Sequence, residues 1–304
     1  MELPFAIVDV FAEAPLQGNQ LAVVFAPPDL TTARMQAIAL EMNFSETTFV
    51  TNENSDEERV RIFTPSSELP FAGHPTLGTA SVLRARRSGA GLAAGLDDRP
   101  PDRHADGLAD RPANIDVNLA TQRVRVHFDA HDMPWFASPV ARQIGTCERA
   151  ELALRLGLSI DQLTFDAVTV WDIGPRFALL ELADLPALRA LRVTTETLTW
   201  LAGPTAEFTS LFAFTTDAYG PDAHYAARML FSVNGAVRED PATGSANACF
   251  AAYLKASSRD PGGVVIVEQG FEMDRPSRIY LRLSDPPQVG GRVQHIAEGV
   301  LRLP

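Results

Sequence analysis

Glu68-Leu69-Pro70-Phe71-Ala72-Gly73-His74 and Glu239-Asp240-Pro241-Ala242-Thr243-Gly244-Ser245 are the two stretches on which the reading of the fold turns. Glu, Pro and Gly recur in register at one constant offset, as Glu68/Glu239, Pro70/Pro241 and Gly73/Gly244. Each stretch follows an Arg-containing strand-like run, Arg59-Val60-Arg61-Ile62-Phe63 or Arg228-Met229-Leu230-Phe231-Ser232, and each precedes an apolar helix-like run. Upstream, Gly18-Asn19-Gln20-Leu21-Ala22-Val23-Val24 is similar to Gly174-Pro175-Arg176-Phe177-Ala178-Leu179-Leu180, and Asp29-Leu30 to Asp184-Leu185. The same order of features twice is the mark of an internal duplication, with loop insertions absorbing the changes of offset. Two similar halves of mixed α and β structure are therefore expected.

Local patterns agree. Residues 5–11 and 21–25 are β-branched and aromatic, bounded by Pro15 and Gly18, as hairpin-like strands are. Met35, Ile38, Ala39 and Met42 recur at i, i+3, i+4 and i+7, which predicts a helix capped by Thr31 or Thr32 and ending near Asn43. Residues 75–83 and 246–254 are small and apolar on every side, the composition of helices buried all round. Pro75 fits a first helical position and Ser245 a cap. A sheet wrapped about a central helix, twice, satisfies these patterns. Residues 88–114, rich in Gly, Ala, Asp, Arg and Pro without period, read as a mobile insertion. Further strands are expected at 264–268, 277–283 and 292–303. The domain expectation is an N-terminal half over residues 1–125 and a C-terminal half over 126–304, whose last strand could pack on the first half.

Composition narrows the function. The 304 residues are 46% hydrophobic and 21% charged, values of an ordinary globular protein, and no apolar run approaches a membrane span. Met1-Glu2-Leu3-Pro4 does not open a secretory signal, so the expected compartment is the cytoplasm. A net charge of -12 disfavours any partner whose phosphates must be neutralised, nucleic acid first among them. Lys255 is the sole lysine and ends an apolar segment, so Schiff-base and pyridoxal-phosphate chemistry recede. Cys147 and Cys249 are too few for a disulfide framework and lack zinc-site spacing.

The duplicated turn supplies a physical reason for a site. A glycine entering a helix allows close approach to the backbone, and the first helical amides are unpaired and partly positive. Gly73-His74 and Gly244-Ser245 could thus each cradle an anion and, if the halves face each other, bracket one cleft holding a carboxylate. Either could also be a plain turn before a buried helix. In Glu41-Met42-Asn43-Phe44-Ser45-Glu46-Thr47-Thr48-Phe49-Val50, Glu46 stands after a helix end and at a strand start. A carboxyl among Phe44, Thr47, Phe49 and apolar helices could be partly desolvated, and so both accept and return a proton. A solvated Glu at the strand start is the other reading.

These motifs, with Arg61-Ile62-Phe63-Thr64-Pro65, His74-Pro75-Thr76, Ser245-Ala246-Asn247 and Glu268-Gln269-Gly270, resemble the phenazine-biosynthesis PhzF-like family, in family order over nearly the whole chain. The resemblance implies an α+β, diaminopimelate epimerase-like fold, with two pseudo-symmetric halves around one cleft, and a homodimer. It implies a cofactor-independent isomerase acting on a small carboxylate-bearing metabolite, with Glu46 as the acid/base that carries a proton between carbons. His74 and Asp240 match the family's further catalytic positions, and Gly73, Gly244 and Ser245 its substrate-binding ones; no metal is implied. Gln20 stands where many members carry proline, and Asp274 where glycine is common before Arg275-Pro276-Ser277. These departures bear on cleft shape and substrate.

Other chemistries fit less well. A thiol-based racemase or epimerase needs one cysteine per half at the turns, which instead carry Ala72 and Thr243. Ala242-Thr243-Gly244-Ser245-Ala246 is no nucleophile elbow, and no phosphate-binding loop surrounds Lys255. His127 and His131, near Asp129 and Asp132, read as a polar turn rather than a metal site. A carboxylate-binding protein without turnover remains the alternative from another class.

Overall fold

The computed structural model describes residues 1–88, 111–164, 167–202 and 210–303. The chain forms two compact units, residues 1–137 with 290–304, and residues 138–289. The division falls after Ala137, not at the expected 125/126, because the strand through residue 125 continues a meander that ends in the first unit.

In the first unit the strands are β1 (Glu2–Val10), β2 (Asn19–Ala26), β3 (Glu46–Thr51), β4 (Arg59–Phe63), β5 (Glu68–Leu69) and β18 (Val293–Arg302). They form one sheet in the order β18-β1-β2-β3-β4-β5. Only β2 and β3 run parallel, and the crossover between them is α1 (Thr32–Met42). β6 (Asn114–Asn118), β7 (Arg123–Phe128) and β8 (Pro134–Ala137) form an antiparallel meander. The C-terminal strand β18 pairs with β1 along its length.

The period-2 alternation of strand side chains sorts this sheet into two faces. Leu3, Val24, Phe49 and Phe63 point to one face and pack with Met35, Ile38 and Ala39 of α1. Thr31 caps α1 by accepting from the Arg34 amide, and Asn43 ends it in the left-handed region with φ 53°. The other face receives α2 (Gly73–Arg87), buried from Gly73 through Arg84. A Cβ on Gly78 would come within 2.6 Å of Leu21 Cδ2, so helix and sheet meet closely here. Thr48 of β3 bonds Thr79 of α2 at 2.9 Å, and Glu46, two residues before Thr48, shares its face.

The second unit repeats the plan. Its strands are β9 (Arg142–Glu148), β10 (Ala167–Asp172), β11 (Arg176–Glu181), β12 (Ser210–Thr215), β13 (Tyr225–Val233), β14 (Ala236–Asp240), β15 (Val264–Gln269) and β16 (Ser277–Arg282), and β17 (Gln288–Gly290) ends where the chain returns to the first unit. The helices are α3 (Arg149–Leu156), α4 (Leu185–Ala190), α5 (Thr195–Ala202) and α6 (Gly244–Ala256). β11 and β12 are parallel, joined through α4 and α5, as β2 and β3 are through α1. β12, β13 and β14 then follow antiparallel and lead into α6, as β3, β4 and β5 lead into α2. Leu180, Leu211 and Ala213 pack against Leu152, Leu188 and Leu198 of the outer helices. Phe212 and Phe214 pack instead on Phe250 of α6, with ring centroids 5.4 and 4.6 Å away.

Two matching ion pairs explain why Arg and Glu recur with the repeat. Arg61 of β4 holds Glu68 by two hydrogen bonds of 2.7 and 2.6 Å. Arg228 of β13 holds Glu239 in the same bidentate way, at 2.9 and 2.7 Å. In each unit a planar guanidinium staples a strand to the segment that leads into the buried helix.

Three expectations need correction. Both buried helices begin at their glycines, so Pro75 is the third helical residue and Ser245 lies inside the helix rather than capping it. The N-cap of α6 is Thr243, which makes no side-chain bond to a helical amide. Of the expected insertion over 88–114, residues 89–110 lie outside the described residues, while Ser88 is the C-cap of α2 and Asn114 opens β6.

Candidate active site

In the first unit three chain segments bring polar groups together on the α2 face of the sheet. Asn19 opens β2, Glu46 opens β3 opposite Leu21, and His74 is the second residue of α2. His74 Nε2 lies 3.3 Å from Glu46 Oε2, with side-chain exposures of 4% and 15%. The alignment is not that of a hydrogen bond, and among the described residues Nε2 has no other partner. On the other side of the ring, Asn19 Nδ2 stands 3.3 Å from His74 Nδ1. Burial of the imidazole outweighs the opposing Gln20 carbonyl and drives the His74 pKa down from 6.5 to about 3. The ring beside Glu46 is therefore neutral at ordinary pH, and the contact is not an ion pair.

The N-terminus of α2 suits an anion. Its N-cap, Ala72, is extended and has no side chain able to cap, and no acidic residue lies in the first turn. The partial positive charge of the first amides is thus not offset from within the helix. The N-terminus of α6 likewise has no acidic residue in its first turn and no side-chain cap bond.

In the second unit Asp240 ends β14, opposite Met229, and is 9% exposed. Thr243 Oγ1 donates to Asp240 Oδ2 at 2.5 Å. Gln269, at the end of β15, which like β14 pairs with β13, reaches the same turn and is completely buried. Gly244 and Ser245 are the first two residues of α6, the glycine buried and the serine partly exposed.

Of the residues expected from the sequence, Glu46, His74 and Gly73 thus cluster in the first unit, and Asp240, Gly244 and Ser245 lie along one turn of the second. Asn19, Thr243 and Gln269 were not singled out. Asn19 and Gln269 sit within motifs quoted for other reasons, and their partners lie 55 and 26 residues away in sequence, so no local spacing exposes the contacts.

The remaining candidates lie elsewhere. Cys249 is buried in α6 and Cys147 is half-buried on β9, and burial pushes both thiols up. Among the described residues no group of three or more His, Cys, Asp or Glu is arranged to hold a metal ion. The His131 amide donates to Asp129 Oδ1 at 2.9 Å, in a polar turn between β7 and β8. Lys255 lies in the last turn of α6 and donates to the Ser284 carbonyl at 2.7 Å. No helix among the described residues is long and apolar enough to cross a membrane.

The sequence profile of the phenazine biosynthesis-like family, PhzC-PhzF, matches residues 8–98 and 114–297. A trans-2,3-dihydro-3-hydroxyanthranilate isomerase of Pseudomonas aeruginosa is 37% identical over 284 residues, covering 91% of this chain and 89% of its own. An uncharacterized isomerase of Mesorhizobium japonicum is 33% identical over 313 residues, covering 98% of each. Among solved structures, a predicted epimerase of Pseudomonas aeruginosa superposes with a TM-score of 0.75 at 30% identity, over 99% of both chains. The α+β, diaminopimelate epimerase-like architecture expected from the sequence is the one present. The chain therefore belongs to the phenazine biosynthesis-like, PhzC-PhzF, family and is an enzyme of the isomerase class.

Proposed function

We propose that this isomerase moves a proton between two carbons of a small carboxylate-bearing metabolite without a cofactor, and that Glu46 carries the proton. The observation that supports this reading is the side-by-side placement of Glu46 and His74, 3.3 Å apart at the mouth of α2. A shuttle must act in turn as base and acid, and Glu46 is the carboxyl assigned here to that role.

The step balances without redox change. Glu46 takes a proton from one carbon, the electron pair of the broken C–H bond delocalises into the adjoining unsaturated system, and the proton returns at another carbon of that system. The helical amides that begin at Gly73 and Gly244 favour the substrate carboxylate and the charge that develops. His74, Asp240 and Ser245 orient the substrate and assist its proton transfers. The substrate class is a ring carboxylate of the kind named for the Pseudomonas aeruginosa relative, a dihydro ring that also carries amino and hydroxyl groups. The working form is a homodimer, which light scattering reads directly.

The test is incubation with trans-2,3-dihydro-3-hydroxyanthranilate in deuterated water, without added metal, nicotinamide, flavin or pyridoxal phosphate, followed by NMR. The double bond should move, and deuterium should enter at the newly saturated carbon unless the proton is returned internally. Binding seen by calorimetry with neither isomerisation nor exchange, for this compound and for related dihydro amino-carboxylates, would mark a binding protein instead.

A further inference from the structure

The carboxamide of Gln269 makes four hydrogen bonds, to the end of β14, to Thr243 before α6 and to Asn247 within the first turns of α6. Its Nε2 donates to the Asp240 carbonyl at 2.8 Å and to Thr243 Oγ1 at 3.2 Å. Its Oε1 accepts from the Thr243 amide at 3.4 Å and from Asn247 Nδ2 at 3.2 Å. A backbone carbonyl can only accept and a backbone amide can only donate, so these two partners fix which end of the carboxamide faces which.

The direction of the next bond follows. Thr243 Oγ1 receives a hydrogen from Gln269 and has one hydrogen of its own to give. Asp240 Oδ2 stands 2.5 Å away, the separation of a hydroxyl donating to a carboxylate. The three side chains form a chain of single polarity, from Gln269 through Thr243 to Asp240.

We propose that Gln269 and Thr243 are positioning residues for Asp240, holding its carboxylate in one rotamer through a hydroxyl whose direction Gln269 dictates. This rests on the reading of Asp240 as a group that orients the substrate. The chain belongs to one half only. Ala72 occupies the place of Thr243 in the first copy of the repeat, so no hydroxyl is available beside Gly73. Duplication supplied two similar turns, and this substitution equips one of them to fix a carboxylate.

Two measurements test the proposal, the first independent of any substrate. In NMR spectra of threonine-labelled protein, the Thr243 hydroxyl proton should appear as a protected, low-field resonance, and Gln269→Met should abolish it or move it upfield. A Thr243 hydroxyl proton that exchanges freely in the wild type, or that is unchanged in Gln269→Met, would overturn the chain of bonds. The second measurement is kcat/KM on trans-2,3-dihydro-3-hydroxyanthranilate, or on whichever related carboxylate is found to exchange. Thr243→Val and Gln269→Met should each lose about tenfold or more, whereas Thr243→Ser, which keeps the hydroxyl, should stay within about threefold. Thr243→Val at wild-type rate beside a disabled Asp240→Asn would overturn the positioning role alone. Asp240→Asn at wild-type rate would overturn the reading of Asp240, and the functional half of this inference with it.

Discussion

His74 touches Glu46 as an uncharged ring. Its Nε2 stands 3.3 Å from Glu46 Oε2, while burial drives the imidazole pKa from 6.5 to about 3. Burying a neutral histidine beside a carboxyl gives up a salt bridge that a protonated ring would offer.

This burial predicts a pH dependence of stability. A histidine whose folded pKa is depressed lets the unfolded chain bind the extra proton, so stability falls as pH drops below about 6.5, down to about 3. His295, lowered to about 4 by burial and then by Arg111, acts in the same direction. His74 should account for a few kcal/mol of that acid loss, on the order given by its shift. Urea midpoints of wild type and His74→Gln between pH 7 and about 4 should converge as pH falls. Parallel curves would show that His74 takes up its proton alike in the folded and unfolded chain.

The two bidentate ion pairs should differ in their importance. Arg228 and Glu239 have side-chain exposures of 8% and 15%, and Arg61 and Glu68 of 28% and 34%. Arg228→Ala leaves a carboxylate largely out of water and should cost about 3 kcal/mol or more. Arg61→Ala exposes its partner to solvent and should cost about 1 kcal/mol or less. Equal losses in denaturant titration would contradict this account of the repeat.

Gly18 is needed for its backbone. Its φ is +69°, and a Cβ would sit 2.3 Å from the Val10 carbonyl oxygen, which cannot swing aside as a side chain could. Gly18→Ala should destabilise by about 2 kcal/mol or more and displace Asn19 from His74. Thermal melting, with the His74 ring resonances in NMR, checks both effects; an unperturbed His74 signal would show that the turn does not position Asn19.

How much of this was legible before the fold was known follows from the range of each interaction. The repeated Glu, Pro and Gly announced two similar units because the ion pairs and helix entries they build use residues close in sequence. Glu46 was legible as a residue between a helix end and a strand start. The helix N-termini were misplaced by two residues because Pro75 and Ser245 carry strong local signals for caps and first turns. Here both helices begin at the glycines, which are buried. The contacts of Asn19 with His74 and of Gln269 with Asp240 and Thr243 were not legible, since the sheet, not local spacing, brings those segments together.

Thiol chemistry should play no part. Burial raises both Cys147 and Cys249, which keeps them as poorly reactive thiols at neutral pH. Cys147→Ser with Cys249→Ala should retain activity within about twofold, given that neither thiolate forms readily. Loss of turnover in a folded double variant would reopen a cysteine mechanism.

Glu46→Gln tests most directly whether Glu46 is the proton carrier. Glutamine keeps the shape and loses the ability to move a proton, so turnover should fall by about 10² to 10⁴ or more, the usual contribution of a general acid/base. Calorimetry on the same variant should still show carboxylate binding, and its melting temperature should stay close to that of the wild type. In deuterated water Glu46→Gln should give neither isomerisation nor exchange at carbon. A folded Glu46→Gln protein that binds the substrate and isomerises it at near wild-type rate would contradict the account and move the proton-carrying role to His74 or Asp240.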